Sequence, residues 1–97
     1  ELFAKAFRSS PYPIVLSELE SGLFLDANDA SFEIFGYTRG DLVGRTADDV
    51  RLWPSPEDRL RFVQRLKQAG SIRNLEVGLR NKAGEVRRCL VSAELID

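Results

Sequence analysis

Three glycines spaced four residues apart, Gly36, Gly40 and Gly44, surround Tyr37 in the segment NDASFEIFGYTRGDLVGRT, residues 28–46. Glycine clusters do chemistry when their backbone amides close around phosphate. A P-loop needs two glycines five apart followed by Lys and Ser or Thr, so that loop amides and an ammonium meet the phosphates. Here the spacing is four, and Arg45 follows the last glycine. A dinucleotide fingerprint fails as well, because these glycines have the wrong spacing and sit between helical turns rather than between a strand and a helix. They read instead as punctuation: Gly36 ends a helix, Gly44 ends the next turn after Leu42 and Val43, and Tyr37 covers the join.

Proton transfer and nucleophilic attack lack their parts. The chain has no histidine and one cysteine, Cys89. Neither a Ser–His–acid nor a Cys–His arrangement can be assembled. The adjacent carboxylates Asp48 and Asp49, and Glu57 and Asp58, fall at helix starts, where capping accounts for them better than acid–base work. Metal ligands are reduced to carboxylates without calcium-loop spacing. The reading is of a domain with no catalytic residue and no metal site.

Charge is distributed unevenly behind a net value of −1: residues 1–58 hold 5 basic and 11 acidic side chains, and residues 59–88 hold 9 basic and 2 acidic. The two halves are expected to attract each other. Nucleic-acid binding is not indicated, because aromatic residues are not interleaved with the basic ones. At 97 residues, with 43% hydrophobic and 30% charged side chains, the chain suits one folded domain, read as residues 1–97 of a larger protein. No apolar run approaches the roughly 18 to 20 residues that cross a bilayer, so direct membrane insertion is not expected. A cytoplasmic setting is expected, with the parent protein free to carry a membrane anchor, and the lone cysteine fits a reducing compartment.

The elements that must position these residues follow from periodicity. Leu2, Phe3, Ala6 and Phe7 form one stripe of a short amphipathic helix that the Pro11–Tyr12–Pro13 segment stops. The apolar runs 14–16 and 23–25 read as two strands of a hairpin. Asn28 caps a brief helix with Phe32, Ile34 and Phe35 on its inner arc. Thr38 with Asp41, Thr46 with Asp49, and Ser55 with Asp58 repeat the capping spacing, predicting three successive helical turns. The third is the longest, with Pro56 at its start, Leu60, Phe62, Val63, Leu66 and Ala69 on one face, and Gly70 closing it. Beyond Gly70 the period changes to two. With Gly84 left-handed in a three-residue turn, Val77 falls opposite Cys89 and Leu75 opposite Val91.

This order resembles the PAS domain family over nearly the whole chain. AFRSSPYPIVLSELESG resembles the family's first helix and strand, and LFLDANDASFEIFGYTRGDLVGRT its second strand, Asn-capped helix and glycine turns. PSPEDRLRFVQRLKQAG resembles the helix across the sheet, and EVGLRNKAGEVRRCLVSAELI the two long strands. The resemblance implies an α+β fold: an antiparallel sheet with short helices on one face, four strands visible and a fifth expected beyond Asp97. It implies a bacterial two-component or similar sensory module relaying a signal to an output domain in the same chain, such as a histidine kinase or diguanylate cyclase. A small-molecule pocket between helices and sheet would be lined by Phe35, Tyr37, Trp53, Leu66, Leu75, Val77, Cys89 and Val91. The alternative is that these side chains fill the core of a ligand-free dimerisation module. Leu2, Phe3, Ala6 and Phe7 are the candidate homodimer contact.

The family's cofactors can be tested residue by residue. Flavin photosensors carry a reactive thiol in Gly-Arg-Asn-Cys-Arg-Phe-Leu-Gln; the matching run here is residues 44–51, and Ala47 stands in the thiol's place. Haem sensors of the family usually bind iron through a histidine, which this chain lacks. Thiol-adduct flavin and haem are therefore disfavoured, a non-covalent flavin stays open, and the expectation is of no resident cofactor.

Overall fold

The computed structural model describes residues 2–96, with the side chains of residues 2 and 3 outside the description. The described elements are α1 (Leu2–Ser9), β1 (Val15–Ser17), β2 (Phe24–Ala27), α2 (Asp29–Phe35), α3 (Arg39–Leu42), α4 (Pro56–Ala69), β3 (Ser71–Arg80) and β4 (Val86–Glu94). The fold class is α+β, as the sequence implied.

Helix boundaries follow capping chemistry. Asn28 accepts the Ser31 amide at the start of α2, and Gly36, at φ 81°, donates its amide to the Phe32 carbonyl at the end. Only glycine adopts that left-handed backbone without steric cost. Thr38 and Asp41 exchange amide hydrogen bonds around α3, a complete capping box. Ser55 and Pro56 open α4, and Gly70 closes it. Thr46 and Asp49 make the same reciprocal pair, at 3.1 and 3.0 Å, yet Thr46 forms an isolated antiparallel bridge with Leu23 and residues 47–51 form turns rather than the expected helix. Arg51 adopts a left-handed backbone at φ 54°. The Leu52 amide then reaches back to the Ala47 carbonyl at 3.0 Å, which closes the segment before a helical ladder can grow.

Strand pairing matches the period-two reading. In β3–β4, Val77 lies opposite Cys89 and Leu75 opposite Val91, with Gly84 left-handed in the turn at φ 90°. A bulge between Ile72 and Leu75 carries Asn74 at φ 53°, a conformation that asparagine tolerates better than most residues. β1 pairs antiparallel with β2, Val15 opposite Ala27, a residue or two later along the chain than expected.

The strands form two two-stranded ladders rather than one continuous sheet among the described residues. Other parts of the chain meet one edge of each ladder at a single end. Beside β2, Phe24 exchanges hydrogen bonds with the Arg45 carbonyl and the Gly44 amide, both at 2.9 Å. Beside β3, the Arg80 amide donates to Leu52 at 2.7 Å, and just past the strand the Lys82 amide donates to Phe35 at 2.9 Å. The other edges, of β1 and β4, have no ladder partner among the described residues.

α4 braces the first ladder. The Arg59 guanidinium donates to the Leu19 carbonyl at 2.9 Å, and Lys67 pairs with Glu20 at 2.6 Å. Gly22 lies beneath Arg59: a β-carbon there would come within 3.0 Å of the guanidinium, and its φ is +73°. Lys67–Glu20 and Lys82–Asp41 join the acidic and basic halves, although such exposed pairs orient the chain more than they stabilise it.

The main core is Phe24, Ala27, Tyr37, Leu42 and Ala47, with Phe32, Phe35, Val50, Leu52 and Trp53 packed against it. Two expected faces need correction. Ile34 is exposed, and Ala30 and Ser31 are the buried residues of α2; Ile34 lies on the last turn and lines an open surface groove. On α4 only Leu66 is buried, while Leu60 is exposed. No described helix is long and apolar enough to cross a membrane.

The open edges carry a measurable expectation, because unpaired strand edges recruit further chain. A version of the protein continuing about 15 residues past Asp97, enough for one strand and a turn, should have a higher urea midpoint. Each added net backbone hydrogen bond contributes roughly 0.5 to 1.5 kcal/mol. Equal midpoints would show that four strands complete the fold.

Candidate functional site

The expected pocket lining separates into two groups. In the helical layer, Tyr37 is buried, and its hydroxyl donates to the Val50 carbonyl at 3.3 Å. Burial raises its pKa, opposed by the Lys82 charge and reinforced by Asp41. Phe35 and Trp53 pack against the same core cluster. The indole ring of Trp53 sits 5.1 Å from Phe62 at a tilt of 43°, a favourable aromatic geometry. Leu66 is buried on α4.

The second group lies on the β3–β4 ladder. Leu75, Val77, Cys89 and Val91 occupy directly opposed positions and are all half-buried. Alternation of side chains along a strand puts these four on one face. The Cys89 Sγ donates to the Arg87 carbonyl at 3.5 Å, and burial raises the thiol pKa. It is therefore a protonated thiol near neutrality and a weak nucleophile.

None of the four strand residues belongs to the buried cluster around Tyr37. Two open concavities among the described residues lie elsewhere. One runs along α1 at Ala4, Lys5, Arg8 and Ser9, and the other lies between the end of α2 and the β3–β4 turn. Of the expected lining, only Phe35 touches either. The structure thus brings the eight residues to two adjoining layers without showing one closed chamber among them. In the expected dimer stripe, Ala6 is exposed and Phe7 half-buried; Leu2 and Phe3 fall where side chains are not described. No group of three His, Cys, Asp or Glu side chains converges as a metal site among the described residues.

Sequence reasoning missed two polar constructions. The Lys82 ammonium reaches Asp41 at 2.8 Å, tying the β3–β4 turn to α3. The hydrogen bond from Lys82, together with those from the Thr38 side chain and amide, lowers the Asp41 pKa to about 2. The other is built on Asn28, whose capping oxygen was legible but whose carboxamide nitrogen was not. That nitrogen donates to the Phe7 and Tyr12 carbonyls at 3.0 and 2.9 Å. The oxygen accepts from the Ile14 and Ser31 amides at 2.9 and 3.1 Å. A buried asparagine fully engaged through both ends was detectable only as an asparagine following a strand and preceding a helix.

Comparison with known proteins follows this geometry. The profile of a family described as PAS domain matches residues 1–70. The hybrid signal transduction protein dokA of Dictyostelium discoideum is 31% identical over 99 residues; that match covers 100% of this chain and 6% of dokA, so the chain spans a small part of that relative. A PAS domain of a LuxR-family transcriptional regulator from Burkholderia thailandensis, solved in complex with ethanol, is similar with a TM-score of 0.76 and 25% identity. The match covers 98% of this chain and 83% of that one. A domain of a sensory box sensor histidine kinase/response regulator from Geobacter sulfurreducens shares the fold, with a TM-score of 0.78, 19% identity and coverage of 98% and 82%.

Asp41 sets a pH expectation. Its carboxyl titrates lower in the folded chain than its ordinary value of 3.8, so the unfolded chain takes up the proton first. The stability it contributes is complete above about pH 4 and is lost as pH falls toward about 2. Asp41→Asn should flatten that limb of the acid-denaturation profile, read by circular dichroism, and leave the profile above pH 5 parallel to the parent. An unchanged acid limb would remove Asp41 from the account.

Proposed function

Because the chain belongs to the PAS domain family, we propose that it is the sensory module of a larger signalling protein, binding a small, mostly apolar ligand between its helical layer and the β3–β4 ladder. The family consists of sensory modules without catalytic chemistry of their own, and binding here would bias an output domain such as a kinase or cyclase. The observation that carries the reading is the face formed by Leu75, Val77, Cys89 and Val91, which is apolar and only half-buried. Apolar surfaces bordered by a few polar tips are the usual form of small-molecule sites. A relative solved with ethanol, and others named for hybrid signal transduction or sensor histidine kinase function, support the same direction.

A second reading is favoured by Tyr37, whose hydroxyl is already satisfied by Val50: the core is full, and the domain associates with a second copy through α1 without sensing. A thermal-shift screen of short alcohols and small carboxylic acids separates the two. A ligand at 100 times its dissociation constant should stabilise the domain by about 2.7 kcal/mol. Silence across the screen, with a dimer that dissociates when residues 1–8 are removed, would favour the second reading.

No resident chromophore is proposed. The purified protein should show no absorbance beyond the aromatic band, because Ala47 occupies the thiol position of flavin photosensors and the chain has no histidine for haem iron. Stoichiometric flavin or haem in the purified protein would overturn this.

A further inference from the structure

Residues 48–53 lead from the buried Ala47 to the edge of β3 that faces away from β4, and they contain one backbone conformation that a bulky residue rarely adopts, Arg51 at φ 54°. The Arg51 side chain is exposed, so its own burial is not what the conformation secures. The carbonyls on either side of it are both held from outside the segment. That of Val50 accepts the Tyr37 hydroxyl at 3.3 Å, and that of Leu52 accepts the Arg80 amide at 2.7 Å. A strained residue persists where its surroundings over-determine it. Here one donor comes from the helical layer and the other from the sheet, while Val50, Leu52 and Trp53 pack, partly buried, against the core cluster.

The two donors differ in kind. The Arg80 amide belongs to a strand paired with β4; because successive amides of a strand point to opposite sides, those of Val77 and Leu79 face β4 when that of Arg80 faces Leu52. The Tyr37 hydroxyl is a side-chain donor at the long end of hydrogen-bond distance, and burial raises its pKa, which keeps it protonated near neutrality. Once it lets go, the peptide between Val50 and Arg51 is free to turn. Relaxation of Arg51 then carries Leu52 off the strand edge.

We propose that the Tyr37 hydroxyl is the latch of a strained strap formed by residues 48–53: latched, it keeps Arg51 left-handed and Leu52 on the edge of β3, and unlatched, it lets Arg51 relax and leaves the Arg80 amide without its partner. Tyr37 is thereby a positioning residue that acts on the sheet through Arg51 and Leu52. The latch joins the interior of the helical layer to a strand edge, and it stands whether or not a ligand binds between the layers.

Native-state hydrogen exchange on the unaltered chain tests it first. The Leu52 amide, bonded to the Ala47 carbonyl at 3.0 Å, and the Arg80 amide should open together, at a lower free energy than the amides of Val77 and Leu79. Exchange of the Arg80 amide only with global unfolding would overturn the proposal.

Two substitutions then separate strain from latch. Arg51→Gly removes the strain and keeps both anchors. It should slow exchange at Leu52 and Arg80 by about fivefold, the relieved left-handed backbone set against the added freedom of glycine when the strap is open. Tyr37→Phe keeps the ring in the core and removes the hydroxyl. Exchange at the same two amides should quicken by about fivefold relative to Val77 and Leu79, and adding Arg51→Gly should return it toward the parent value. A packing role for Tyr37 alone would move all four amides alike. That result, or an Arg80 amide indifferent to Arg51→Gly, would overturn the proposal; the second outcome decides it even where Tyr37→Phe fails to fold.

Discussion

The Asn28 carboxamide is the constraint on which the first half of the chain depends. A buried amide is costly unless each of its polar atoms finds a partner. Here two carbonyls and two backbone amides supply them within 3.1 Å. Satisfying that group fixes four pieces of backbone at once: the end of α1, the proline segment, the start of β1 and the first turn of α2. The Ser31 side chain, 1% exposed, completes the arrangement from the helix side. An apolar side chain of the same shape would take a partner away from each of these four backbone groups, of which the Ser31 amide would keep the Asn28 backbone carbonyl at 3.0 Å.

The second half is organised by a different rule, the need to close strand edges without more strands. The Leu52 carbonyl meets the last residue of β3 and the Phe35 carbonyl, at the end of α2, meets its exit, and the chain between Gly44 and Ala47 covers the start of β2. The glycines that first suggested phosphate binding serve this purpose: the left-handed Gly36 and Gly44 turn the chain so that its carbonyls and amides meet the strands.

Legibility in the sequence tracked the range of the interaction. The capping residues Asn28, Thr38 and Ser55 act within three positions of themselves, and each was readable from residue type and spacing. The β3–β4 register was readable too, because a single turn glycine and the alternation of Leu75, Val77 and Leu79 leave few alternatives. Thr46 and Asp49 misled: their local pair forms as expected, but the left-handed Arg51 downstream ends the segment. Ile34 misled for the converse reason, since helical period predicts a face but not how far the core beneath it extends. The two donors on the Asn28 nitrogen, and the division of the pocket residues between two layers, depend on chain distant in sequence, and no local pattern encodes them.

The Gly22–Arg59 contact has an evolutionary consequence. A side chain at position 22 would meet the guanidinium as well as a left-handed backbone, and the guanidinium is held there by the Leu19 carbonyl. Position 22 cannot gain a side chain alone, whereas Arg59 can change first. In descendants of this sequence, a larger residue at position 22 becomes tolerable only after position 59 has shortened and the hairpin turn has been rebuilt. The two sites should therefore substitute in a fixed order, with the arginine lost first.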